Sequence, residues 1–481
     1  MTASAKPVLV WFRKDLRLDD NLALTAAAQS GGPVIPVYIR EPEEAGTGPL
    51  GAAQAWWLHH SLATLQKSFE KLGSRLILAS GSAEDLLPRL IKATGAGAVY
   101  WNRRYDPPGI AIDTPLKKSL AETGIEVKSF AGQLLHEPTH LLTGQGTPYK
   151  VYTPFWKAFN SEDGPRDPVD PPKSLKSPEK WPKSEDVTDW GYLPTKPNWA
   201  EHFPEMWEPG EAAAHKRLKL FLDSHVKDYD SLRDFPGVDA TSRLSPYLAL
   251  GEISPARIWH STNGLMDRYG TDGVLRFRKE IIWREFSYHL LFHFPELAEK
   301  NWNSKFDNFP WEFNEKLFEA WKKGETGYPI VDAGMRQLWK HGWMHNRVRM
   351  VVASFLIKHC LIDWRHGEKW FRDTLVDADP ASNAASWQWV AGSGADAAPF
   401  FRVFNPITQG EKFDPDGDYI SRYVPILAKL PSKYKNVPDK SPPAFLEKAG
   451  VRIGETYPEP IVDHMKAREK ALSTHSALSD D

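Results

Sequence analysis

Thirteen residues, Asp377-Ala378-Asp379-Pro380-Ala381-Ser382-Asn383-Ala384-Ala385-Ser386-Trp387-Gln388-Trp389, carry two carboxylates, two amides and two indoles. Asp379 followed by Pro380 makes an N-cap and N1 pair, so a helix is expected to begin there. Four-residue spacing then sets Asp379, Asn383 and Trp387 on one side and sends Trp389 roughly the other way. Acids, an amide and an indole on one face suit hydrogen bonding to the edge of a flat redox ring such as a flavin. An ordinary capped helix with two core tryptophans reads the same way in isolation.

Glu280-Ile281-Ile282-Trp283-Arg284-Glu285-Phe286 is the second candidate, with Glu280, Trp283 and Arg284 on one helical face. A carboxyl beside an indole is costly unless used. Trp283 can stack on a flat ligand while Glu280 bonds its polar edge; the structural alternative is a plain Glu280–Arg284 ion pair one turn apart. In Gly342-Trp343-Met344-His345-Asn346-Arg347-Val348-Arg349-Met350, an apolar stripe of Val348, Val351, Val352, Phe355 and Leu356 accounts for the core face. Asn346, Arg347 and Met350 lie opposite that stripe, and an amide and a soft thioether beside a cation suit a nucleobase pocket. Arg349 leans toward the stripe and needs a buried anion, for which Asp377 and Asp379 are the candidates. Thr241-Ser242-Arg243-Leu244-Ser245 offers hydroxyls and backbone N–H groups able to cradle a diphosphate, or simply to cap a helix.

These segments need elements to hold them. Short apolar runs at Val8 to Phe12, Val34 to Tyr38, Arg75 to Leu78, Ala98 to Trp101 and Val127 to Phe130 predict parallel strands. Helices fit between them at about Leu22 to Ala28, Ala53 to Leu72, Ala83 to Thr94 and Ile110 to Ala121. No G-x-G-x-x-G follows the first strand, where Arg13-Lys14-Asp15-Leu16-Arg17 stands instead, so a dinucleotide on that turn is not expected. Eight prolines between Ser161 and Pro197 mark an extended connector, and beyond it the pattern is helical. The predicted class is α/β followed by all-α: a Rossmann-like parallel-sheet domain over 1–135, a linker over 136–206 and a helical domain over 207–481.

The 481 residues are 41% hydrophobic and 25% charged, and no apolar run reaches the ~18 residues of a membrane span. Met1 to Pro7 lacks the order of a secretory signal, and a lone Cys360 forms no internal disulfide, which fits a cytoplasmic location. A net charge of −2 makes any nucleic-acid surface local. Between Lys340 and Arg372 seven Lys or Arg face two acids, interleaved with Trp343, Trp364 and Trp370. The 16 histidines form no H-E-x-x-H and no Cys/His cluster, so metal chemistry is not expected.

Together these residues resemble the photolyase and cryptochrome family over nearly the whole chain, with Trp11-Phe12-Arg13-Lys14-Asp15-Leu16-Arg17-Leu18 similar to its opening strand and turn. The resemblance implies FAD in the helical half. Tyr229, Thr241, Ser242, Leu244 and Ser245 would be its phosphate and ribityl contacts, with Phe277 near the adenine and Arg284, Trp343, Arg349, Asp377 and Asp379 as further contacts. Asn383 stands where cyclobutane-dimer photolyases place Asn opposite flavin N5. Asn346 and Met350 replace the two His residues of photolyases for the (6-4) photoproduct. The implied activity is light-driven repair of cyclobutane pyrimidine dimers in DNA. Glu280, Trp283, Asn346, Met350 and Trp389 would line the lesion pocket, Arg233, Arg347 and Arg402 would face the DNA backbone, and Trp387, Trp364 and Trp311 would conduct electrons to the flavin. Glu280 is expected to be protonated or to exchange a proton.

Trp56-Trp57 in the Gly51 to Leu62 segment resembles the plant-cryptochrome-like, class III branch. The resemblance also implies an antenna chromophore of the 5,10-methenyltetrahydrofolate type, for which Trp57 and Asp106 are the candidate contacts. Tyr105-Asp106, Ala298 and Glu299 depart from the family's folate site. A monomer is expected, without membrane partners. The rival readings are a cryptochrome-type blue-light receptor, against which Asn383 and the short tail count, and a flavin-dependent dark oxidoreductase, for which no nicotinamide site is found.

Overall fold

The computed structural model describes residues 5–42, 50–397 and 401–478. Val8–Phe12 forms β1, five consecutive buried residues, as a central parallel strand covered on both faces requires. With β2 (Val34–Arg40), β3 (Ile77–Ser80), β4 (Ala98–Asn102) and β5 (Glu126–Phe130) it makes one parallel sheet in the order β3-β2-β1-β4-β5. Val8 is in register with Val34 on one side and Ala98 on the other. The edge strand β5 is only half-buried and carries Glu126 and Lys128, charges that discourage pairing with another chain.

The crossovers are α1 (Leu22–Gln29), α2 (Ala52–Lys71), α3 (Ala83–Thr94) and α4 (Pro107–Glu122). Only β1 and α3 keep the expected bounds; the others shift by one to three residues. β3 begins at Ile77 rather than Arg75, and α4 starts at Pro107 rather than Ile110, because Pro107 and Pro108 occupy first-turn positions where no backbone donor is missed.

The proline-rich connector is extended and held against the sheet half. Val34 donates its N–H to Lys176 O (2.9 Å), Glu185 to Leu78 O (2.8 Å), and Arg166 binds Asp20. Beyond it, the helices of nine or more residues are α6 (Glu211–Ser224), α7 (Thr271–His293), α8 (Glu315–Lys323), α9 (Pro329–His341), α10 (Asn346–Ser354), α11 (Trp364–Thr374), α12 (Pro380–Ala391) and α13 (His464–Ser476), with α5 (Tyr152–Ser161) before it. Among the described residues this half adds no strand, only an isolated bridge between Ile453 and Tyr457. No helix is long and apolar enough to cross a membrane.

The two halves share one core. A single cluster joins Val8, Phe12 and Trp57 to Phe221, Tyr229, Phe277 and Trp343. At the seam the first turn of α2 reaches across: Ala52 N–H donates to Asp373 Oδ1 (3.0 Å) and Gln54 Nε2 to Ala378 O (2.8 Å). One turn further on, Trp57 Nε1 donates to Glu252 Oε2 at 2.9 Å, and Glu252 is fully buried.

Burial pushes the Glu252 carboxyl up to about 8, its bonds to Ser61 and Trp57 only partly offsetting that. Folding therefore favours its protonated form. Stability attributable to this group is intact below its ordinary value of 4.5, falls as pH rises, and is fully lost above about 8. Glu252→Gln is thus expected to raise the melting temperature at pH 8.5 and to change it little at pH 4.5. An equal shift at both pH values in scanning calorimetry would contradict this.

Candidate active site

The helix predicted after Asp379 is α12. Asp379 is extended at φ −122°, its Oδ1 accepts from Ser382 N–H at 2.7 Å, and Pro380 opens the first turn. Its second oxygen accepts from Tyr288 Oη at 2.6 Å. Asp379, Asn383 and Trp387 all face one cavity with an empty volume of about 660 Å³, together with Asp377, Ser382 and Ser386. The opposite wall is α10, which supplies Asn346, Arg349 and Met350. Trp389 is off this wall, its indole N–H bonded to Asp396 O (3.1 Å). Four-residue spacing on α12 and the stripe on α10 thus converge on one chamber.

Arg349 finds the anion it needs in Asp377: Nη2 donates to Oδ2 at 2.8 Å, and Nε donates to Met344 O at 2.8 Å. The other Asp377 oxygen, Oδ1, is buried with no partner among the described residues. A buried carboxylate oxygen left unpaired is expensive, so a ligand donor belongs there. That orphan, beside a polar-rimmed, aromatic-backed cavity, fits the flavin that the sequence implies. Asn383 Nδ2 donates to Glu368 Oε1 (2.9 Å) and Glu368 O (3.1 Å), while Arg372 holds Glu368 from the next turn at 2.5 Å. With its amino group so engaged, Asn383 leaves its carbonyl oxygen as the free edge; an amide has no acidic proton to give there.

The remaining predicted cofactor residues lie around the cavity rather than on its wall. Trp343 Nε1 donates to Ser245 Oγ at 3.3 Å, and the guanidinium groups of Arg243 and Arg349 each lie 5.9 Å from the Trp343 ring. The Thr241–Ser245 turn is shaped by Arg217, which donates to Thr241 O (2.6 Å) and Ser242 O (2.8 Å), with Leu244 buried beneath. Tyr229 and Phe277 meet edge to face at 5.9 Å.

Several expectations are corrected. Glu280 and Arg284 form no ion pair: Glu280 binds Arg233 from the preceding turn, whereas Arg284 donates to Gln133 O (3.0 Å) and Glu285 Oε1 (3.2 Å). Burial pushes Glu285 up to about 7 despite Arg284 beside it. Glu280 is therefore engaged with Arg233 rather than with its own helix. Trp283 does not present two free faces, since Tyr152 stacks on one at 3.7 Å and 4°. Arg347 is engaged by Asp234 at 2.8 Å, and Arg402 is exposed with its guanidinium over Phe404 at 4.7 Å.

The antenna candidates are both engaged inside the protein. Trp57 is fully enclosed, edge-on to Trp207 and Tyr247, so it offers no stacking face. Asp106 is buried; desolvation would raise its carboxyl, but Arg104 and Lys14 overrule that and hold it at about 2, committed to Arg104. A different pair was missed. Trp339 of α9, 55% exposed, and Trp370 of α11 lie parallel within 2° with centroids 6.3 Å apart, and the Trp370 indole N–H is buried without a partner among the described residues.

Trp387, Trp364 and the partly buried Trp311 belong to one apolar cluster running inward from the cavity wall. Trp364 is fully buried with its N–H on Asn301 Oδ1 (2.9 Å). Trp321, which the sequence reading passed over, lies 6.3 Å from Trp387. Tyr152 was assigned to the connector, although the buried Tyr152, Phe155 and Phe159 spacing is a helical signal.

Comparison with known proteins agrees with this architecture. Residues 8–173 match the family model described as DNA photolyase, and residues 277–477 match that of the FAD binding domain of DNA photolyase. A deoxyribodipyrimidine photo-lyase of Agrobacterium fabrum is 64% identical over 478 residues, 99% of each chain. Cryptochrome-1 of Arabidopsis thaliana is 37% identical, covering 98% of this chain and 70% of its own. The crystal structure of a bacterial class III photolyase from Agrobacterium tumefaciens superposes with a TM-score of 0.97 at 64% identity, covering 99% of this chain and 98% of that one. A parallel-sheet half packed on a helical half, a chamber walled by acids, an amide and indoles, and these matches along the chain place it in the DNA photolyase and cryptochrome family.

Proposed function

We propose that this chain repairs cyclobutane pyrimidine dimers in DNA under blue light, with FAD held by Arg349, Asp377, Asp379 and Asn383. The observation that carries the reading is the convergence of Asn346 and Met350 from one helix with Asn383 and Trp387 from another on a single cavity. Reduced FAD bound there supplies, on excitation, the electron that opens the two cyclobutane bonds and is then recovered. Asn346 offers an amide edge for pyrimidine carbonyls, and Met350 offers a polarisable apolar wall. Trp283, stiffened by Tyr152, presents its other face for stacking. Glu280 and Trp389, which do not line the cavity itself, are assigned to the part of the lesion that extends beyond it. Arg233, Arg347 and Arg402 supply cations toward the phosphates, so affinity falls with salt. A dimer is poorly stacked and is extruded at lower cost than a normal pair, a case the base-flipping principle itself names for photolyases.

The test is an ultraviolet-irradiated oligonucleotide incubated with reduced protein in light and in darkness. Loss of dimers in the light alone is expected; intact dimers in both arms would refute the proposal. The same assay separates repair from the light-receptor alternative that 37% identity to Cryptochrome-1 keeps in view.

An antenna of the 5,10-methenyltetrahydrofolate type is part of this proposal, now assigned to Trp339 and Trp370 in place of Trp57. Their spacing is at the long end of aromatic pairing, and a flat pterin accepted between parallel indoles gains two stacking faces. Trp339→Ala is expected to remove the near-ultraviolet antenna band from the purified protein, and Trp57→Phe to retain it. The opposite pattern would return the antenna to the α2 seam. A cytoplasmic monomer completes the proposal.

A further inference from the structure

Four charged side chains alternate in sign beside the cavity, where Arg347 Nη1 lies 3.8 Å from the lining Met350 Sδ, joining α7 to α10 through the turn after Tyr229–Leu232. Glu280 on α7 binds Arg233. Arg233 Nε lies 3.8 Å from Asp234 Oδ1, and Asp234 Oδ2 accepts from Arg347 Nη2 of α10 at 2.8 Å. Arg347 also packs its guanidinium 4.4 Å from the Phe413 ring, and its Nε is buried without a partner among the described residues. Three members of the string have duties in the proposed reaction: Glu280 toward the lesion, Arg233 and Arg347 toward phosphates. Asp234 has none. A carboxylate on a surface that must receive a polyanion opposes binding unless its charge is used elsewhere.

We propose that Asp234 determines specificity for damaged over undamaged DNA by exchanging partners. In the free protein it neutralises Arg347. When a dimer enters and draws Glu280 away, Arg233 loses its carboxylate and Asp234, already beside it, takes over, which releases Arg347 to a phosphate. With undamaged DNA no base fills the cavity and Glu280 keeps Arg233. Withdrawing Arg347 then leaves Asp234 only the long contact to Arg233, which Glu280 already holds, beside the incoming phosphates, so that complex is disfavoured. The asymmetry arises because the string has two anions for two cations, and only a filled cavity frees one anion from its task. This inference rests on reading the cavity as the lesion pocket.

The experiment measures affinity for one duplex with and without a single thymine dimer, in darkness, over a range of salt concentrations. Asp234→Asn is expected to tighten undamaged binding by about fivefold and lesion binding by much less, so that discrimination falls about as much. For undamaged DNA the plot of log affinity against log salt should steepen by about 0.9, the increment for one more neutralised phosphate. Asp234→Glu should match the unsubstituted protein, and adding Arg347→Gln to Asp234→Asn should erase the gain. Asp234→Ser provides a second neutral variant if Asp234→Asn does not fold. Unchanged discrimination and slope in a folded neutral variant would overturn the role given to Asp234. Equal binding of both duplexes by the unsubstituted protein would instead overturn the function on which it rests.

Discussion

Asp377→Ala is expected to yield protein stripped of most of its flavin and melting several degrees lower. Asp377 is almost fully buried and is the carboxylate partner of Arg349, whose side chain is 24% exposed. Removing one member of such a pair leaves the other unneutralised, and with partial solvent access to Arg349 the cost is about 2–3 kcal/mol. The flavin loses more than a neighbour, because Asp377 Oδ1 is a buried acceptor on the cavity wall with no protein donor among the described residues. Asp377→Asn keeps an acceptor but not the charge and should fall between. Visible absorbance of the purified protein, FAD released on denaturation and a thermal melt distinguish these outcomes. Full flavin content in Asp377→Ala would remove the cavity's principal anchor from the argument.

Trp387→Phe is expected to slow light-driven reduction of the bound flavin by more than about tenfold while sparing repair by protein reduced chemically. Trp387 is the only oxidisable ring on the cavity lining among the described residues. Phenylalanine fills most of the same space but is far harder to oxidise. Trp364→Phe tests the next step. Trp321 lies as near as 6.3 Å to Trp387 and is also fully buried, so a reduced but surviving rate in Trp364→Phe should vanish once Trp321→Phe is added. Photoreduction unaffected by Trp387→Phe would show that electrons enter by another route.

What could be read from the sequence was what local periodicity encodes. β1 and α3 run over the expected residues, the Asp379-Pro380 cap lies where its chemistry put it, and the α10 stripe left Asn346 and Met350 free for the cavity. Asp377 and Asp379 were named as candidates for Arg349, and the structure selects Asp377 because Asp379 is spent on its own helix and on Tyr288. Misreadings came where distant segments compete for one side chain. Arg284 prefers a carbonyl 151 positions earlier to the carboxylate one turn away, and Glu280 turns to Arg233, 47 positions away. Trp57 looked like a ligand platform because its sequence neighbourhood says nothing of Trp207, Tyr247 and Glu252 closing over it. Periodicity tells which face is apolar, not which partner arrives.

The reach of α2 across the seam bears on how this architecture can be cut and recombined. Gln54 holds the carbonyl of Ala378, the residue between two cavity-facing acids, and any side chain at Gly51 would collide with the Arg372 backbone. The sheet half is therefore scaffolding for the chamber as well as a neighbour to it. A helical half transplanted onto a foreign sheet would inherit an unclamped loop at its most important corner, so the two portions are a matched set rather than interchangeable cassettes.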